Sequence, residues 1–230
     1  MMQSQLVIND LKSEERIFIY NLLSETFGKK PEKEFLSKFK MDGLFEFLDE
    51  YTGDKETVNR LELTMDELLE DDMKIKNLAD IYENMFVVPA ATKFIPPVAS
   101  SFICIEEEKK SGDDGQLTLV DELSLFYDKY NVKFIGGEKD NFVFHIDHIS
   151  ALFNFMVLLI DLEKKNQCKL NTCNEIFNDE SIFFNKFILS WTDNFFSEVI
   201  LKSDALFYSQ ISKIASIFLR SESMILTPAQ

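Results

Sequence analysis

Apolar side chains recur along most of this chain at the three- and four-residue spacing that gathers them on one face of an α-helix. After Asn9 and Asp10, either of which can accept hydrogen bonds from a free first helical turn, Leu11, Phe18, Leu22 and the pair Ile19/Leu23 keep that spacing up to a stop at Gly28. A second helix is predicted from Pro31, whose missing N–H costs nothing in a first turn. It carries Phe35, Leu36, Phe39, Leu44, Phe45 and Leu48, with a candidate break at Gly43 and an end at Thr52-Gly53. Asp54 reads as the cap of a third helix bearing Val58, Leu61, Met65, Leu68 and Leu69. The acidic run Glu70-Asp71-Asp72 suits the positive end of a fourth, which passes through Ile75, Leu78, Ala79, Tyr82, Met85 and Phe86 and is ended by Pro89.

The pattern then fails. Pro96-Pro97 excludes helical geometry locally, Ser111 to Gly115 reads as a solvated turn, and Ser101 to Ile105 fits an extended segment or a short helix equally. Regularity returns at Thr118, a candidate N-cap before Val120, Leu123, Phe126, Tyr127 and Tyr130. A second irregular stretch with Gly136-Gly137 leads to a helix from Asp147 to about Lys165. Its middle is apolar almost all round, which places it at the centre of a bundle. Helices of roughly Asp179–Leu201 and Asp204–Arg220 complete the chain. The expectation is an all-α, single-domain bundle of about eight or more helices over residues 1–230, with a Pro-rich loop at about 88–117 and a second loop at about 131–146. The Pro-Pro loop and the Asp147-His148 pair both adjoin helices that read as buried, so they are expected to meet in space.

Composition narrows the partners. With 24 Lys and Arg against 40 Asp and Glu, the net charge is −16. That excludes the counterion-release route to nucleic acid binding and disfavours an anionic lipid surface. Gly and Pro number only 7 and 5, too few for the turns an all-β chain needs. The N-terminal residues lack the basic and apolar regions of a secretory leader, and three cysteines, Cys104, Cys168 and Cys173, fit a reducing cytoplasm. Cys168 and Cys173 have no second Cys or His pair nearby, so they read as ordinary thiols; no metal and no cofactor are expected. The apolar run Ile149–Ile160 is shorter than the ~20 residues of a membrane span, and no stable membrane insertion is expected.

Candidate chemistry concentrates at two places. Asp147 and His148 are neighbours in sequence and so point about 100° apart on a helix, which does not suit a triad carboxylate and its base. No nucleophile elbow, phosphate loop or metal-binding helix is present. Asp147 as a helix N-cap, with His148 hydrogen-bonded in the first turn, is one reading and an enzyme site near Asp147/His148 another. Tyr82, Met85 and Phe86 share one helical face, either as core or, beside the extended loop of Pro89, Pro96 and Pro97, as an apolar receiver for a peptide. The acidity likewise reads as a solvating surface or as a field for a basic peptide.

Taken in order, Tyr82-Glu83-Asn84-Met85-Phe86, Pro89, Pro96-Pro97-Val98-Ala99-Ser100, Asp147-His148-Ile149 and Phe187-Ile188-Leu189-Ser190-Trp191 resemble the elements of the TorD/DmsD/NarJ family of molybdoenzyme maturation chaperones. Met85 stands where that family has Leu, Val98 replaces a frequent aromatic, and His145-Ile146 replaces a Pro-containing approach to Asp-His. The resemblance implies a non-catalytic, all-helical cytoplasmic chaperone. Its partners would be the twin-arginine type signal peptide and the catalytic subunit of a molybdopterin-dependent oxidoreductase. Tyr82, Met85, Phe86, Pro89 and Pro97 would shape the apolar part of a peptide site, Asp147 and His148 would add polar contacts, and Ser100 would pin the loop. An acidic scaffold for a folded partner is the alternative, and a homodimer by helix exchange fits the long loops.

Overall fold

The computed structural model describes residues 12–103, 117–133, 145–166 and 170–226. The cap at Asn9 or Asp10, the turn at Ser111–Gly115, the Gly136-Gly137 loop, Cys104 and Cys168 lie outside those residues. The helices are α1 (Ser13–Gly28), α2 (Lys33–Leu36), α3 (Leu44–Thr52), α4 (Lys55–Glu70), α5 (Asp72–Tyr82), α6 (Leu119–Lys129), α7 (Ile149–Lys165), α8 (Leu170–Phe183), α9 (Ser190–Lys202) and α10 (Leu206–Leu226). Among the described residues there is no β-strand, so the fold is all-α as expected.

Local chemistry sets most boundaries. Asp54 caps α4 by accepting from Thr57 N at 3.1 Å, and Asp71 caps α5 by accepting from Met73 N at 2.8 Å. Thr118 and Asp121 form a reciprocal capping box at the start of α6. The single helix expected from Pro31 is instead α2, a 3-10 turn over Ser37–Lys40, and α3. Gly43, at φ +80°, makes the break because L side chains resist that conformation. Downstream, α8 begins earlier than the expected Asp179. It runs through a π-turn over Phe184–Leu189 into α9, and α10 extends to Leu226.

The core is centred on α7, where Ile149, Leu152, Phe153, Phe155, Met156, Leu159 and Ile160 are all buried. Helix α1 lies antiparallel along it: Glu14 meets Lys164 at one end, and Ser24 Oγ donates to Ser150 O at 3.1 Å at the other. There Gly28 approaches α7 so closely that a Cβ would fall 2.4 Å from Ser150 Oγ. Gly28 thus serves close packing, and Lys29, in extended geometry, ends the helix. Much of the core is aromatic. Phe27, Phe86, Phe195 and Tyr208 meet through tilted and edge-to-face contacts, and Tyr127, Phe155 and Phe183 form a second group, the geometries ring quadrupoles favour.

Candidate functional site

Helix α5 does not stop at Tyr82 but widens into a π-turn over Glu83–Val87, closed where Val88 N donates to Glu83 O at 2.9 Å. Such turns rotate the following side chains relative to an α-helix and recur at functional sites. Here the turn directs both Met85 and Phe86 inward, and both are buried. Phe86 packs against Phe27, Tyr82, Phe195 and Tyr208, while Tyr82 OH donates to Phe27 O at 3.3 Å. The apolar stripe read from the sequence is therefore core. Pro89 is exposed and begins a compact loop that returns when Ile95 N donates to Met85 O at 2.7 Å.

From Ile95 the chain forms an extended strap that meets the start of α7. Val98 and His148 pair in an isolated antiparallel bridge. Ile149 N donates to Pro97 O at 2.9 Å, Ala99 N to Asp147 O at 3.1 Å, and Ser100 N to the Asp147 carboxylate at 2.9 Å. The Pro-Pro loop and the Asp-His pair thus meet as the sequence suggests. Their division of labour differs from a simple cap by Asp147. His148 is the N-cap, its Nδ1 accepting from Ser150 N at 3.2 Å, while buried Asp147 reaches across to hold the strap. The strap in turn accepts Ile149 N, so two of the free donors of this helix end are satisfied, each from a different source. Burial depresses the His148 imidazole to about 4, which keeps it neutral and able to accept. Tyr127 OH donates to Ile146 O at 2.8 Å, fixing the approach to the pair from α6. Beyond Ser100, a 3-10 turn over Ala99–Ser101 delivers Phe102 onto Trp191, with ring centroids 5.4 Å apart.

Of the seven residues singled out from the sequence, Tyr82, Met85, Phe86, Pro97 and Asp147 are buried, His148 is half-buried and Pro89 is exposed. Tyr82, Met85 and Phe86 lie together beneath the loop, and Pro97, Asp147 and His148 join the strap to α7. Met85 also reaches a hollow of about 400 Å³ shared with Ile81, Asn84, Ala90 to Lys93, and Asp204. This hollow continues, past Ile81 and Asp204, into a groove of about 480 Å³ between α4, α5 and the start of α10, floored by Leu68, Leu78 and Phe207. Leu63 and Leu206 on its rim are more than half exposed, and Lys93 pairs with Asp204 where the two hollows join. Sequence reasoning missed this groove because it forms between segments more than a hundred residues apart; the outward-facing Leu63 and Leu206 were its only sequence trace.

No group of His, Cys, Asp or Glu with metal-binding geometry occurs among the described residues. No described helix is long and apolar enough to cross a membrane. No curated protein matches the chain. The family described as nitrate reductase delta subunit matches residues 48–197. The π-turn, the strap, the Asp147-His148 clasp and Trp191 all fall within that span, which is well over half of the chain, and the protein accordingly belongs to this family of NarJ- and TorD-like chaperones that mature molybdenum-containing oxidoreductases and are not themselves catalysts.

Proposed function

We propose that this cytoplasmic chaperone captures the signal peptide of a molybdopterin-dependent oxidoreductase subunit and shields it while the enzyme folds, loads its cofactor and assembles. The observation that carries this reading is the open apolar groove along α5, ending beside Met85 and the Ala90–Lys93 loop within a strongly acidic molecule. The apolar stretch of the peptide lies along Leu63, Leu78, Ile81 and Met85, with Pro89 at the mouth. Tyr82 and Phe86 pack in the core behind that face of α5, and Pro97, Asp147 and His148 hold the strap that follows the Ala90–Lys93 loop. Basic residues of the peptide compete with Lys93 for Asp204, so affinity falls with salt. Ordering a flexible signal consumes part of the interaction energy, which suits a complex that must later be released.

Because Phe86 is buried, Phe86→Ala would perturb the fold as much as the site. The exposed rim gives the cleaner test. Tagged wild type and a Leu63→Glu/Leu206→Glu double variant are used at low salt to capture a molybdoenzyme catalytic subunit from the native host, with and without that subunit's N-terminal peptide. Capture by wild type, lost in the double variant and on removal of the peptide, is the expected result. Capture that survives peptide removal would refute the reading in favour of a scaffold for a folded partner.

A further inference from the structure

At the end of the bundle opposite the clasp, one cation is enclosed among several acids. Arg16 on α1 donates from Nε to Glu222 Oε1 at 2.8 Å and from Nη2 to Glu222 Oε2 at 2.7 Å, and the same Nη2 contacts Glu180 Oε1. Tyr20 OH adds a third donor to Glu222, at 3.0 Å. Glu180 and Glu222 have no solvent exposure, and Arg16 has almost none. The neighbouring titratable groups are Glu163 on α7, which has Cys173 of α8 at 4.0 Å, and the half-buried Tyr51 on α3. Asp179, next to Glu180 on α8, faces α6 instead, where Lys129 and Tyr130 meet it.

The two enclosed carboxylates are not equivalent. Glu222 receives three hydrogen bonds, two of them a bidentate guanidinium contact, which is what an ionised carboxylate requires. Glu180 receives one contact from a guanidinium already engaged, and its Oε2 is sealed from water with no partner. A second full negative charge in that space would be neither solvated nor neutralised, and a buried group so placed takes up a proton instead.

We propose that Glu180 is a proton-binding site: it holds a proton in the folded chaperone on the acid side of neutrality, and release of that proton to solvent as the pH rises loosens the junction of α8 with α1 and α10. Burial pushes the Glu180 carboxyl up to about 7 even though Arg16 pulls it down, and burial raises Glu163 as well. The ordinary value is 4.5, so the folded protein binds more protons than the unfolded chain above that pH. The resulting stability is fully present below about 4.5 and is lost as the pH rises through 7.

Unfolding equilibria of wild type and Glu180→Gln, followed by urea titration between pH 6 and pH 8, test this. For wild type the unfolding constant should rise about tenfold more over that interval than for the variant, because Gln mimics the neutral acid and cannot ionise. His148 ionises with the opposite sign below pH 6.5 and is common to both proteins. Parallel profiles would overturn the proposal. Should the variant fail to fold, carbon-13 NMR of glutamate-labelled wild type decides: a side-chain carboxyl titrating between about 6 and 8 that shifts with Arg16 environment supports it, and complete titration of every glutamate below pH 5.5 refutes it.

Discussion

Removing the Asp147 carboxylate should loosen the strap while leaving the helices in place. The side chain is 2% exposed and, among the described residues, accepts a charge-assisted hydrogen bond from Ser100 N at 2.9 Å. Hydrogen bonds to charged groups contribute about 1.5–3 kcal/mol. Ser100 lies at the surface, where water can replace the lost acceptor, so Asp147→Ala belongs at the lower end, about 1.5–2 kcal/mol. For a chain of this length about 2–4 °C of melting temperature accompanies each kcal/mol, giving a fall of roughly 3–8 °C. Asp147→Asn keeps an acceptor within reach and loses only the charge, so about half that fall is expected, since charge-assisted bonds are roughly twice as strong as neutral ones. Thermal unfolding at pH 7 measures both. Hydrogen exchange locates the effect, with the amides of Ala99, Ser100 and Ile149 becoming less protected and those in α4 unchanged. Equal melting falls for Ala and Asn, or unaltered exchange at those three amides, would refute the assignment of Asp147 as the pin of the strap.

Two further outcomes follow from the packing and the titration of the same region. Gly28→Ala places a methyl against Ser150 Oγ and Cβ and should cost about 1–3 kcal/mol as an overpacked contact; in a thermal double-mutant cycle Ser150→Gly should recover much of it, and additive losses would show that the close approach is not the cause. The imidazole of His148, lowered from 6.5 to about 4, makes the fold less stable as the pH falls through that window. His148→Asn keeps a good cap and should gain stability relative to wild type as the pH falls from 6.5 to 4, the Glu180 contribution being common to both proteins; a difference between the two that does not change with pH would place the acid sensitivity elsewhere.

Much of this architecture was legible because it is written locally. Asp54, Asp71 and Thr118 announce helix starts through their own side chains, Gly43 and Gly53 supply left-handed breaks, and the all-round apolar centre of α7 places it in the core. The meeting of the Pro-Pro strap with Asp147-His148 followed from each lying beside a buried helix. Other features depend on partners distant in sequence. Arg16 sits in the charged run Ser13-Glu14-Glu15-Arg16, which reads as solvated, yet Glu222 and Glu180 draw it inside. From Asn171 to Asn178, α8 buries only Ile176, so no amphipathic stripe marks this stretch. The π-turns shift helical register by one residue without a compositional signal. Met85 and Phe86 therefore kept their apolar character in the structure while their role as a groove lining divided, Met85 reaching a hollow and Phe86 filling the core.

The antiparallel embrace of α1 and α7 ties the beginning of the chain to its middle, and the Arg16–Glu222 contact ties it to the last helix. Synthesis on the ribosome makes α1 first. Helix α1 emerges long before either surface it covers, and its apolar face has nowhere native to go until α7 and then α10 are made. Most contacts of this helical bundle are local, yet the apolar face of α1 stays uncovered until α7 and α10 are made and is exposed to misassociation in the meantime. The matched span 48–197 contains neither α1 nor α10, and cut out alone it would lose the rings of Tyr20 and Phe27 that cover Phe153 and Phe195. A bundle built this way reaches its native packing only once α10 has emerged.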